Sequence, residues 1–134
     1  MKTTGYAYVC ADIYHIGHLK HLQRCKKYCD ELIVGVLTDK AVMEKKPKPI
    51  IGFKERLELV KNIKCVDKAI EQKTYSPIPN AKRLKVDILF ESTSHTKEAI
   101  GEARKIVKIK VMPYYLKQSS TAIKLKIKKE YERT

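Results

Sequence analysis

Long apolar runs are missing from this 134-residue sequence: none approaches the roughly 20 residues that span a bilayer. The first residues, Met1-Lys2-Thr3-Thr4-Gly5-Tyr6, also lack the apolar stretch of a signal peptide. No repeat, low-complexity tract or Ser/Gly linker divides the chain, so one domain spanning residues 1–134 is expected. Metal-type cysteine spacing is absent as well. Cys10, Cys25, Cys29 and Cys65 form neither a zinc-ribbon pattern nor a CxxC pair, and they read as reduced structural thiols. Acidic residues are scarce, with 15 Asp+Glu against 29 Lys+Arg, which leaves a formal charge of +14. Such a field attracts polyanions of several kinds, from nucleic acid to phosphorylated metabolites, and does not choose among them. Disorder is excluded by a composition that is 43% hydrophobic and 33% charged. The expectation is a soluble, cytoplasmic, single-domain protein.

What is present alternates. Tyr6-Ala7-Tyr8-Val9-Cys10 predicts a first strand, and Leu19, Leu22, Cys25 and Cys29 recur at helical spacing over His18 to Tyr28. Leu32-Ile33-Val34-Gly35-Val36-Leu37 has the continuous apolar character of a strand covered on both faces. Lys45-Lys46-Pro47-Lys48-Pro49 is a basic loop with two helix-breaking prolines, followed by a helix marked by Phe53, Leu57, Val60 and Ile63. A short strand is expected at Lys68-Ala69-Ile70, a turn of helix at Ala81 to Leu84, and another strand at Val86-Asp87-Ile88-Leu89-Phe90. Ile100, Ala103 and Ile106 suggest a helix, and Ile109-Lys110-Val111-Met112 a last strand. Ser119-Ser120-Thr121 then supplies hydroxyls at the start of a final helix, with Ile123 and Ile127 expected inward. This alternation implies an α/β fold: a Rossmann-like parallel sheet with helices on both faces and its ligand at the carboxyl ends of the strands.

The chemistry concentrates where the first strand hands over to the first helix, at Asp12-Ile13-Tyr14-His15-Ile16-Gly17-His18. In a parallel sheet this junction binds phosphate, because free N–H groups and the helix dipole face outward there. His15 and His18 can both face one phosphate, and Gly17 allows close approach of backbone and anion. Two other readings stand beside this one: a capping turn with solvated histidines, and a zinc site of His15, His18 and His21. The latter lacks the acidic general base of an HExxH helix.

His15-Ile16-Gly17-His18 resembles the HxGH signature of the nucleotidyltransferase superfamily. Ser119-Ser120-Thr121-Ala122-Ile123 is similar to that superfamily's I-S-S/T-T-x-I segment. Between them, Gly35 to Asp39, then Lys45, Lys46 and Lys48, then Glu55-Arg56 and Asn62 to Asp67, resemble the small cytidylyltransferases of the glycerol-3-phosphate and phosphonate type. Ala11-Asp12-Ile13-Tyr14-His15 is closer to the phosphonate branch. Two segments depart from the pattern: Tyr114-Tyr115-Leu116-Lys117 replaces R/Y-T-E-G, and Ser92-Thr93-Ser94-His95 replaces G-D-D-W.

The resemblance implies transfer of CMP from CTP to a small phosphate- or phosphonate-bearing acceptor, with release of pyrophosphate. It implies that His15, His18 and Lys46 are catalytic. It assigns Cys10, Ala11, Asp12, Gly17, Ser119, Ser120 and Thr121 to the nucleotide, and Lys45, Lys48, Arg56 and Lys64 to the acceptor and its phosphate. Mg2+ would be carried by the phosphates, with Asp12 the one candidate protein contact. A homodimer is implied, with no membrane and no nucleic-acid partner. The alternatives are an adenylyltransferase of the same superfamily, resembling one that makes FAD, and a degenerate nucleotide-binding module.

Overall fold

The computed structural model describes residues 2–92, 104–113 and 118–133. In chain order the elements are β1 (Thr4–Val9), α1 (Ile16–Lys26), β2 (Glu31–Leu37), α2 (Asp39–Val42), α3 (Phe53–Lys61), β3 (Lys68–Gln72), α4 (Ile78–Leu84), β4 (Ile88–Ser92), β5 (Ile109–Met112) and α5 (Ser120–Glu132). The expected helix at Ile100 and Ala103, the departures at Thr93 to His95 and the segment Tyr114 to Lys117 lie outside the described residues. Among the described residues, no helix is long and apolar enough to cross a membrane.

The five strands form one parallel sheet in the order β3-β2-β1-β4-β5. β1 is central, so the chain winds one way from β1 to β3 and the other way through β4 to β5. The reversal falls between β1 and β4, where an open parallel sheet leaves a crevice at the carboxyl ends of its strands. Both faces are apolar, as the continuous runs predict. Ala7, Leu32, Val34, Val36 and Phe90 pack with Leu22 and Cys25 of α1 and Val60 of α3. Tyr6, Ile33 and Leu89 pack on the opposite face with Ala81 and Val86.

Two local features differ from the expectations. α2 is a four-residue helix that sequence periodicity did not mark, started by Thr38, whose side chain accepts from Ala41 N at 3.1 Å. α5 forms where expected, but its apolar residues are covered less than expected: it has no buried residue, Ile123 is half-buried and Ile127 is 45% exposed. The hydroxyl cap sets the start of that helix, whereas spacing alone did not say what would cover its apolar stripe.

One polar cluster crosses the interior of the α4 face. Tyr6 Oη donates to Gln72 Oε1 at 2.6 Å and accepts from Asn80 Nδ2 at 2.9 Å. Burial pushes the Tyr6 phenol up to about 12. Gly35 leaves the space for this cluster, because a Cβ there would lie 1.9 Å from Tyr6 Oη and 2.6 Å from Gln72 Oε1. Gly35→Ala is therefore expected to destabilise the fold by about 2–3 kcal/mol, the cost of overpacking and of displacing a buried hydrogen bond. Adding Tyr6→Phe should relieve only part of that loss, since Tyr6 Cζ would still lie 2.7 Å from the new methyl. Denaturant unfolding of the two single variants and the double variant checks this through the interaction energy of the cycle.

Candidate active site

A cavity of about 730 Å³ opens at the reversal point, within the volume range of small-molecule sites. Its floor is the carboxyl end of β1 and β4, with Val9, Cys10, Phe90 and Ser92; its walls are the first turns of α1 and α5 and the loop that carries Lys46 and Lys48.

The two histidines of the turn cap their own helix. His15 is the N-cap of α1, and its Nδ1 accepts from Gly17 N at 2.9 Å. His18 Nδ1 accepts in return from His15 N at 3.0 Å, which gives a capping box built from two imidazoles. Because each Nδ1 is an acceptor, each proton belongs on Nε2, and the rings present N–H donors from a cavity-lining position. The rings lie 4.1 Å apart, with Tyr14 stacked on His18 at 5.6 Å. Both are held neutral. Burial lowers His15, and burial together with the adjacent His15 and His21 pushes His18 down to about 4 against the opposing pull of Asp12. The capping reading and the phosphate reading of these residues are thus compatible: one nitrogen of each ring closes the cap and the other remains available.

Helix α5 brings a second N-terminus to the same cavity. Ser119 is its N-cap and accepts from Ala122 N at 3.1 Å, while Ser120 and Thr121 line the cavity. The first N–H groups of a helix have no intrahelical partner, so this end is suited to an anion.

Asp12 joins the two halves. Its carboxylate is almost wholly buried and accepts from Ile50 N at 3.0 Å, Ile51 N at 2.9 Å and Lys124 Nζ at 2.5 Å. Its carbonyl accepts from Ser120 Oγ. Burial by itself would raise the Asp12 carboxyl, but the bonds from Lys124, Ile51 and Ile50 hold it below the usual carboxylate value. The flanking Ala11 and Ile13 have φ of 60° and 53°, a strained region for residues with a Cβ, above all a branched one. Asp12 is the only carboxylate lining the cavity among the described residues, and its oxygens are engaged by protein donors. It does not fit as a metal ligand. Nor do His15, His18 and His21 gather as one: among the described residues, no three His, Cys, Asp or Glu side chains are placed to hold a metal ion.

The remaining candidates separate into those at the cavity and those elsewhere. Cys10, Gly17, Lys46 and Lys48 line it, and Ala11 shapes the turn without lining it. Lys45 sits over the Tyr75 ring, 5.1 Å from its centroid, outside the cavity wall. Arg56 is fully buried, and its guanidinium donates to the carbonyls of Cys10, Leu37 and Ile51 and to Asp39. It braces the site from behind and presents no donor to it. Lys64 is exposed on the connection that enters β3, at the amino end of the sheet, opposite the cavity. The assignment of Lys45, Arg56 and Lys64 to the acceptor is therefore replaced by these positions. Lys124, Tyr8 and Phe90 line the cavity without having been singled out. Lys124 was legible, because it stands four residues after Ser120 and so shares its helix face.

The sequence model of the cytidylyltransferase-like family matches residues 6–126. A bifunctional protein HldE from Campylobacter fetus subsp. fetus (strain 82-40) is 30% identical over 95% of this chain and 28% of its own length. An FAD synthase from Methanohalophilus mahii (strain ATCC 35705 / DSM 5219 / SLP) is 42% identical over 58% of this chain and 54% of its own length. The chain thus spans under a third of the HldE protein and about half of the FAD synthase. Among solved structures, a lipopolysaccharide core biosynthesis protein from Thermoplasma volcanium GSS1 superposes with a TM-score of 0.74 at 27% identity, covering 86% of this chain and 98% of that one.

The neutral state of His18 has a measurable consequence. Its folded value near 4 lies below the ordinary 6.5, so the unfolded chain takes up the proton first. The stability this ring supplies is full above pH 6.5 and is lost as pH falls towards 4, by up to about 3 kcal/mol. Urea unfolding at pH 7 and pH 4.5 should show a larger drop for the natural protein than for His18→Asn, in which the amide oxygen can replace Nδ1 in the cap. Equal drops would mean that this ring is not the titrating group.

Proposed function

The chain belongs to the cytidylyltransferase-like family, and from that premise we propose that it transfers AMP from ATP to a small phosphate-bearing acceptor. The observation that carries the reading is the pairing of two neutral, Nε2-protonated histidines with the hydroxyl-rich start of α5 across one cavity. An acceptor phosphate attacks the α-phosphorus in line; the new bond forms from an acceptor oxygen to that phosphorus, and the bond to the bridging oxygen of pyrophosphate breaks. The acceptor is already an anion, so the step calls for positioning and charge neutralisation and not for a general base.

In this reading His15 and His18 donate from Nε2 to the phosphate oxygens on which charge builds. Ser119 and Thr121 through their hydroxyls, and Ser120 through its backbone N–H at the start of α5, hold the β- and γ-phosphates. Lys46 and Lys48 draw the acceptor phosphate towards the α-phosphate. Mg2+ would enter on the triphosphate, since Asp12 offers it no free oxygen. ATP as donor is favoured by the FAD synthase relative, because FAD is flavin mononucleotide bearing an AMP group. The second reading, CTP as donor, rests on the family's description and on the resemblance of the run from Gly35 to Asp67. A homodimer belongs to the same proposal.

Pyrophosphate release with ATP and CTP, against flavin mononucleotide, sugar phosphates and phosphono-alcohols, tests the assignment. ATP should support the faster turnover with at least one acceptor. If CTP equals or exceeds it with every acceptor, the donor is cytidylyl; binding without any turnover would make the chain a nucleotide-binding module.

The histidine geometry gives a sharper test. An asparagine oxygen can imitate Nδ1, whereas a glutamine amide can imitate the Nε2 donor. His18→Asn should therefore keep the cap and lose about 10²–10³ in turnover, the usual cost of one preorganised donor. His18→Gln should retain more activity but melt lower. The reverse order would remove the donor role from Nε2.

A further inference from the structure

Helix α5 has no buried residue, and Leu125, Ile127 and Tyr131 are exposed. Yet its first turn forms one wall of the cavity. Among the described residues, two polar contacts tie that turn to the end of β1, and both run to Asp12, through Ser120 Oγ to the carbonyl and Lys124 Nζ to Oδ2. The same carboxylate accepts the amides of Ile50 and Ile51, where the lysine loop rejoins the fold ahead of α3. Lys124 and Ile50 share one oxygen, Oδ2. The α5 wall of the cavity and the root of the lysine loop are therefore fastened to one residue.

We propose that Lys124 is a positioning residue which, through Asp12, couples occupancy of the α5 N-terminus to the order of the lysine loop. The ammonium is about one-third exposed, while the carboxylate it meets is almost fully buried. A cation at 2.5 Å keeps that buried carboxylate ionised and fixed in one orientation, and a fixed carboxylate holds both loop amides. An anion that anchors the start of α5 fixes the backbone from which Lys124 extends, and so steadies Asp12 and the loop in turn. By linkage the effect is reciprocal: an ordered loop tightens nucleotide binding by the factor with which the nucleotide orders the loop. The identity of the anion rests on the nucleotidyl-transfer reading; the coupling between helix and loop does not.

Amide hydrogen exchange at Ile50 and Ile51 reads the coupling directly, in the natural protein, Lys124→Met and Lys124→Arg. Without ligand, Lys124→Met should speed exchange at both amides by about tenfold, and Lys124→Arg should restore most of the protection. Addition of α,β-methylene-ATP or α,β-methylene-CTP should slow exchange at these amides by about fivefold or more in the natural protein and not in Lys124→Met. Calorimetry should find nucleotide affinity in Lys124→Met lowered by no more than about that same fivefold, against a larger loss in Thr121→Ala, whose hydroxyl lines the cavity without a bond to Asp12. Unchanged exchange in Lys124→Met would overturn the proposal. So would a loss of nucleotide affinity as large as that of Thr121→Ala, which would make Lys124 a direct phosphate ligand. Failure of both analogues to bind would overturn the transferase reading instead, and the ligand-free comparison would still decide the role of Lys124.

Discussion

Everything at the carboxyl ends of β1 and β2 depends on the guanidinium of Arg56. It is wholly buried, and a buried charge is tolerated only when its donors are met. Nη1 donates at 2.7 Å to the carbonyls of Cys10 and Leu37, Nε at 2.9 Å to Ile51, and Nη2 at 2.6 Å to Asp39 Oδ1. Those acceptors mark the end of β1, the end of β2, the root of the lysine loop and its return. One planar fork thus sets the spacing between the strand that feeds the histidine turn and both ends of the loop beside it. A lysine has neither the donors nor the plane for this arrangement.

Around that brace the polar groups divide into two kinds. Inside are donors whose direction is fixed by the backbone they cap, His15 and His18, kept neutral by burial. Outside are cations on an exposed loop, Lys46 and Lys48, free to follow an anion. The strain at Ala11 and Ile13 belongs to the inner kind. Each such backbone conformation costs on the order of 1–3 kcal/mol, and the bonds around Asp12 hold the turn there. A site built this way has little to reorganise, because its most directional donors are already fixed by the cap they close.

Much of this was legible in the sequence. Continuous apolar runs gave β1 and β2, alternation gave the parallel sheet, and the sheet located the cavity beside the HxGH turn. The serine cap placed the start of α5. What was not legible depended on side-chain direction. Arg56 and Lys64 sit in segments that resemble relatives closely, yet one points into the core and the other lies at the far end of the sheet. The tautomers of His15 and His18 follow from backbone donors that no spacing reveals. α2 was too short to show a period, and Thr38 was its one cue. The stripe of Ile123 and Ile127 announced a helical face correctly, but a period carries no information about the surface opposite it.

The strand order also shapes how the chain acquires its structure. β1 lies at the centre, yet its partner on one side is β2 and on the other β4, whose residues follow it by more than eighty positions, as in the pairing of Gly5 with Ile88. The middle of the sheet therefore closes late, through contacts of high sequence separation, which is the topology of slow folding. During synthesis one edge of β1 stays open until β4 has emerged from the ribosome. Throughout that interval the apolar ladder of Tyr6 and Ala7 is half-paired, and any chaperone that shields this protein has that edge to cover.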